Sequence, residues 1–250
     1  MGKAVYCASH APDRTVMFWL NWTTCKVCLR WPNPLLCAGC RQRWGRLAMR
    51  CPHCADHAHA GPCEGQHLHL WTEAAARMDY GSPCDQWIKR LKFGGDWTQA
   101  RDLARLLNEC PHARHLRAQA DLILPVPVSD QRLRERGYNQ AALLAQHWCG
   151  KDPRLRIDWL RKQRHTPSQA MSDRSQRLLQ LQGTLGWSGS AQPQALRGAR
   201  VLVIDDVMTT GATLDVATRS LLQAGAARVD VTVFARTTGS LAPQPPSPGP

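Results

Sequence analysis

Residues 201–214 read VLVIDDVMTTGATL: an apolar run, two adjacent carboxylates, and a loop of small residues that opens into an amphipathic stretch. The run 201–204 predicts a buried strand, and 212–224, stopped by Gly225, predicts a helix. A strand passing to a helix through a short glycine-containing link is the unit of a parallel α/β sheet, which binds ligands outside the carboxyl ends of its strands. Each residue type in the link has a chemical use. Thr209, Thr210 and Thr213 offer hydroxyl donors, and Gly211 lets the backbone come close to a ligand. The N–H groups at a helix start, backed by the helix dipole, attract an anion; here they begin at Ala212. Asp205 and Asp206 would repel a phosphate in that loop unless they address hydroxyls or a bound Mg²⁺. A ribose phosphate meets both demands, with its phosphate on the loop and its diol on the acids. The competing reading is an ordinary N-cap, Thr209 or Thr210, behind solvated acids. No Gly-Lys-Ser/Thr sequence occurs, which disfavours a P-loop nucleotide site.

The rest of the region 71–236 supports the same architecture. Residues 121–128 (DLILPVPV) predict a short buried strand ended by prolines, and 155–160 and 229–235 predict further strands. Helices are expected over 137–148 and over 172–181, the latter starting at Ser172. Residues 237–250, rich in Pro, Gly and Ser, read as a disordered tail.

Residues 1–70 form a separate module by composition. Cys25-x-x-Cys28, Cys37-x-x-Cys40 and Cys51-x-x-Cys54 are followed by Cys63. Two such turns present four thiolates tetrahedrally to Zn²⁺, the closed geometry of a structural site. Cys25, Cys28, Cys37 and Cys40 make the simplest first set. A second set has Cys51, Cys54 and Cys63, with His67 as its fourth ligand and His57, His59 and His69 as rivals. One or two zinc ions are expected. Cys7, Cys84, Cys110 and Cys149 lack partners at ligand spacing and read as ordinary thiols.

The strand ending in Asp205 and Asp206, with the loop Thr209, Thr210, Gly211, Ala212, Thr213, resembles the signature of type I phosphoribosyltransferases. The resemblance implies an open, mainly parallel twisted sheet with helices on both faces. It also implies that the two acids contact ribose hydroxyls and Mg²⁺ while the loop holds the 5′-phosphate of phosphoribosyl diphosphate. The segment PVP at 125–127, followed by RLRERGYNQ at 132–140, is similar to the ComF (competence protein F) family, as is the zinc-ribbon module. That similarity runs from about Cys25 to Arg236. It implies that Arg132 and Arg136 lie near the diphosphate, since guanidinium groups fork onto phosphate oxygens. Residues 160–177, with Arg164, Thr166 and Gln169, fall where the family has a loop able to close over substrate.

Charge points to an anionic partner. Thirty-two Lys and Arg oppose 19 Asp and Glu, a formal +13, and residues 130–180 alone hold eleven basic against five acidic side chains. Arg30, Trp31, Arg41, Arg43, Trp44 and Arg46 interleave guanidinium groups with indoles, a mixture suited to single-stranded nucleic acid. The first residues lack a signal peptide's apolar core, and no stretch reaches the roughly 18–20 apolar residues of a membrane span. The expectation is a cytoplasmic protein, not an integral membrane one, whose eleven cysteines serve metal rather than disulfides. The function implied is binding of phosphoribosyl diphosphate in natural transformation, with single-stranded DNA and DNA-uptake proteins as partners. The alternative is an active transferase moving ribose 5-phosphate onto a nitrogen acceptor with release of diphosphate.

Overall fold

The structure is a computed structural model and describes residues 24–31, 35–57, 59, 63, 69–162, 185–187 and 193–238. The chain divides into two compact units, Met1–Arg46 and Leu47–Pro250. The second cysteine cluster is therefore grouped with the sheet and not with the first cluster. In the smaller unit, helix α1 (Ala38–Trp44) starts from Cys37, whose side chain accepts from the Cys40 N–H.

The larger unit is built on a four-stranded, all-parallel sheet of order β1-β6-β5-β2. Its strands are β1 (Ala74–Asp79), β2 (Leu122–Pro125), β5 (Arg200–Met208) and β6 (Arg228–Arg236). Near-continuous apolar runs suit strands covered on both faces. Val201, Val203, Val229, Val231 and Val233 share one core with Leu214, Ala217 and Leu221 of α7 (Ala212–Gln223). The intervening Leu202, Ile204 and Phe234 are also buried. By strand alternation they face the opposite layer, where α3 (Gln99–Leu107), α4 (Pro111–Gln119) and α6 (Gln140–Cys149) lie against the sheet. Helix α2 (Cys84–Phe93) precedes α3.

Several sequence expectations shift at their edges. The strand expected over 121–128 stops at Pro125, because Pro125 and Pro127 bring no N–H to the ladder. The strand expected over 155–160 reduces to a bridge between Leu155 and Ile123. Beyond it β3 (Leu160–Lys162) pairs antiparallel with β4 (Leu185–Trp187). The helix expected over 137–148 runs from Gln140 to Cys149, and a further, unexpected helix precedes it. Helix α5 (Asp130–Arg136) is capped by Ser129 and ends at Gly137, whose φ of 79° only glycine adopts freely. Helix α6 restarts behind Asn139, whose side chain accepts from the N–H groups of Ala141 and Ala142. The helix expected over 172–181 lies outside the described residues, as does the tail beyond 238.

Strand β1 went unread, for a physical reason. Its sequence, AAARMD, carries little β-propensity, and Arg77 in its middle reads as solvated. Arg77 is instead fully buried, its Nε donating to Leu106 O at 3.0 Å and its Nη2 to Glu109 at 2.9 Å.

Candidate phosphate and metal sites

Strand β5 does not end at the acids. It stays paired with β6 through Asp205↔Val233, Val207↔Ala235 and Met208↔Arg236. The two acids stay in contact: the Asp206 N–H donates to Asp205 Oδ1 at 2.8 Å, and the two carboxyls lie within hydrogen-bond reach of each other. Asp205 borders a pocket formed with Val207, Met208 and residues 209–214. Asp206 is buried, with its Oδ2 2.8 Å from Lys92 Nζ on α2. That contact is an ion pair rather than an aligned hydrogen bond. Burial, and then the neighbouring Asp206 charge, push the Asp205 carboxyl well above the usual carboxylate range, with Lys92 opposing.

The loop expected to hold phosphate closes the pocket from the helix side. Gly211 caps α7 with φ 78° and has no side chain to occupy the first turn. Ala212 N lies 3.4 Å from Thr210 Oγ1, a long contact that leaves room for a stronger acceptor. Thr209, Thr210 and Thr213 border the same pocket. This is a helix start with a glycine backbone, hydroxyls and one carboxylate on a shared concavity. It suits a phosphate joined to a diol.

Glycine at 211 is required for a second reason. A Cβ there would sit 2.6 Å from Trp71 Cη2 and 2.7 Å from His69 Cε1. The two rings stack at 3.8 Å, and His69 Nδ1 lies 2.9 Å from Asp215 Oδ2 in the first turn of α7. Sequence reading missed Trp71 as a support and Lys92 as a site residue. A lysine in the last turn of a helix ordinarily reads as solvated, and no local signal distinguishes this one.

The predicted cations behave unequally. Arg136 lies near Asp206 and Arg132, and burial followed by the Arg132 charge holds it below the usual guanidinium range. Its guanidinium packs 4.9 Å over the Phe93 ring and donates to Gln140. Lys162, which sequence reading did not select, is lowered by burial and by Arg132. Lys92 and Arg136 thus lie near Asp206, with Arg132 beside Arg136 and Lys162 beside Arg132. Arg164, Thr166 and Gln169 lie outside the described residues. The remainder of the Arg-Gly-Tyr-Asn-Gln run is architectural. Tyr138 Oη donates to Leu91 O at 2.6 Å, tying the link between α5 and α6 to the helix that carries Lys92, and Asn139 Nδ2 donates to Val126 O at 2.9 Å.

Two thiol clusters stand at metal-binding separations. The ligand atoms of Cys25, Cys28, Cys37 and Cys40 all lie within 4.8 Å of one another, with Cys28 and Cys37 Sγ 3.7 Å apart. Tetrahedral ligands at Zn–S about 2.3 Å would be about 3.8 Å apart. Burial works against ionising Cys25, but the N–H groups of Cys28, Cys37 and Val27 outweigh it and lower the thiol to about 6. Burial and its sulfur neighbours push Cys40 up.

In the second cluster, Cys51, Cys54 and Cys63 are joined by His59, whose Nε2 is 3.8 Å from Cys54 Sγ. His57 lies instead 2.9 Å from Asp79, and His69 from Asp215, which accounts for two of the rivals. His67 lies outside the described residues. N–H groups of Cys54 and His53 lower Cys51 to about 7 against its burial, whereas burial raises Cys54 to about 12. A set of four thiolates and a set of three thiolates with one imidazole both suit structural Zn²⁺. Cys84 and Cys110 are buried thiols, as expected of cysteines without ligand spacing.

Comparison with known proteins agrees with this geometry. Residues 136–244 match the phosphoribosyl transferase domain family, which together with the parallel sheet gives the type I phosphoribosyltransferase fold. Over 213 residues the chain is 30% identical to "Competence protein F" of Haemophilus influenzae, covering 80% of this chain and 90% of that one. It is 31% identical over 218 residues to "DNA utilization protein YhgH" of Shigella flexneri, covering 81% and 90%. "Competence protein ComFC" of Bacillus subtilis is 27% identical over 214 residues, covering 78% and 81%. Among the described residues no helix is long and apolar enough to cross a membrane.

Proposed function

The chain belongs to the competence protein F family, and from that premise we propose that it binds magnesium phosphoribosyl diphosphate and handles single-stranded DNA in natural transformation. The observation that carries the first half is the shared pocket of Asp205 and the α7 start. The loop of Thr209, Thr210, Gly211, Ala212 and Thr213 takes the 5′-phosphate on backbone N–H and hydroxyl donors. Asp205 takes the ribose diol. Mg²⁺ fits this carboxylate-bearing, water-accessible donor set; held by Asp205 with ligand oxygens, it supplies neutralisation of the diphosphate charge. Arg132, Arg136 and Lys92 provide the remaining positive charge.

The second half is supported by the names of the relatives, by the +13 charge, and by aromatic faces beside the cations. Phe93 adjoins Lys92, is exposed, and lies under Arg136. In the smaller unit Trp31 is exposed and Arg43 packs 4.9 Å over Trp44. Bases stack on such rings while arginines follow phosphates. On this reading the protein works in the cytoplasm, alongside DNA-uptake proteins.

Calorimetric titration of the full chain with phosphoribosyl diphosphate and Mg²⁺ is expected to show one site per chain. Silence from the wild-type protein would remove the reading. For DNA, log affinity for an oligothymidylate is expected to fall linearly with log salt, by about 0.7 per phosphate contacted. No binding at low salt would refute that half.

A further inference from the structure

We propose that the Cys51–Cys54–His59–Cys63 cluster braces the phosphate loop, and that Arg236 is the positioning residue through which the brace acts. The proposal rests on reading residues 209–213 as a phosphate site, but its structural half can be tested without that reading.

Three consecutive carbonyls of the Cys51-x-x-Cys54 turn face outward, and each accepts one hydrogen bond from an element that builds the site. Pro52 O accepts from Ala74 N at 2.6 Å, at the start of β1. His53 O accepts from Trp71 Nε1 at 2.7 Å, and Trp71 is the ring packed against Gly211. Cys54 O accepts from Arg236 Nε at 3.0 Å. Arg236 is the last residue of β6, and its Nη1 donates to Met208 O at 3.3 Å and to Thr209 O. One planar guanidinium therefore joins the cysteine turn to the first residues of the phosphate loop. A parallel route runs from Trp71 through the stacked His69 to buried Asp215, which also accepts from Leu70 N at 3.0 Å.

Three successive carbonyls can present themselves this way only while the turn stays wound. The turn closes through Ala55 N to Cys51 O at 2.9 Å and Cys51 N to Asp56 O at 2.8 Å, with Ala55 held at φ 55°. A non-glycine residue holds that left-handed conformation only under constraint. The turn has little core of its own, and short cysteine-rich segments of this kind hold their shape through ligation. Ala55 sits in the sheet's core and its carbonyl accepts from Arg50 Nη1 at 3.0 Å, and the donor set of three thiolates and an imidazole fixes the rest of the turn. Loosening it frees the Cys54 carbonyl, the Arg236 fork and then the Thr209 end of the loop.

The test uses the full chain with zinc analysis, amide hydrogen exchange and calorimetric titration with ribose 5-phosphate. Wild type is expected to hold two zinc ions per chain and Cys63→Ser one, the first cluster being intact. In Cys63→Ser the amides of residues 209–215 should exchange about tenfold faster or more, with those of α6 unchanged, and ribose 5-phosphate affinity should drop by a similar factor. Arg236→Met should keep both zinc ions yet show the same faster exchange and weaker binding. Arg236→Lys, which keeps the charge but lacks the planar fork, should resemble Arg236→Met. Wild-type exchange at 209–215 in Arg236→Met, or in one-zinc Cys63→Ser, overturns the proposal. If Cys63→Ser does not fold, the Arg236 pair decides. Absence of ribose 5-phosphate binding by wild type would count against the proposed function, while the exchange measurement still reads the brace.

Discussion

Replacing Asp205 and Asp206 together by asparagine should weaken binding of magnesium phosphoribosyl diphosphate by about 100-fold or more while the sheet stays folded. The size follows from losing the charge-assisted contacts of Asp205 to the diol and to Mg²⁺, each about 1.5–3 kcal/mol. The fold should survive because neither carboxylate holds the ladder, and β5 keeps its backbone pairing to β6 beyond both positions. Lys92 loses its partner but is 24% exposed, so its ammonium can turn to water.

The pH dependence has a defined sign. Asp205 is raised in the folded state. It therefore binds more protons folded than unfolded over the interval between the ordinary carboxylate value and the raised one, and stability falls as pH rises across that interval. Asparagine at 205 removes this slope. Thermal melts of the variant should thus be flatter with pH than those of wild type, alongside the calorimetric loss of binding. Retained Mg²⁺-dependent binding in the variant would show that ligand binds elsewhere.

Gly211→Ala should damage both stability and the loop. Holding alanine at φ 78° costs about 1–2 kcal/mol. Its Cβ would meet Trp71 and His69 at 2.6 and 2.7 Å, and overpacking of this kind costs about 1–3 kcal/mol. Neither ring is free to withdraw, since Trp71 is bonded to His53 O and His69 to Asp215. Together these predict a fall in melting temperature of roughly 5–15 °C, with loss of ribose 5-phosphate binding. Gly137→Ala is the control. It shares the left-handed conformation, φ 79° and ψ −8°, but has no atom within 4 Å of the added Cβ, so it should show the backbone cost alone. Equal effects at the two positions would mean that the rings do not constrain the loop.

How much of this was visible beforehand depended on distance along the chain. The Asp205–Thr213 site lies within one strand, one loop and one helix start, so its residue types declare themselves by adjacency. The Cys-x-x-Cys pairs do the same, because both ligands of a turn lie three residues apart. That only Asp205 borders the pocket while Asp206 meets Lys92 was not legible, because β5 continues past both acids to Met208.

Sequence by itself determined the chemistry available: a loop of small and hydroxyl residues beside two acids, a basic flank, and thiolate sets suited to metal. Tertiary structure alone decided which distant residues serve it. Lys92 meets Asp206 from another helix, His69 reaches Asp215 across 146 positions, and Arg236 reaches Cys54 across 182. It also brings His59, named only as a rival to His67, to Cys51, Cys54 and Cys63. Local propensity and ligand spacing act over a few residues, whereas these contacts exist only because a parallel sheet brings remote strand ends together. No short-range pattern in the chain encodes that meeting.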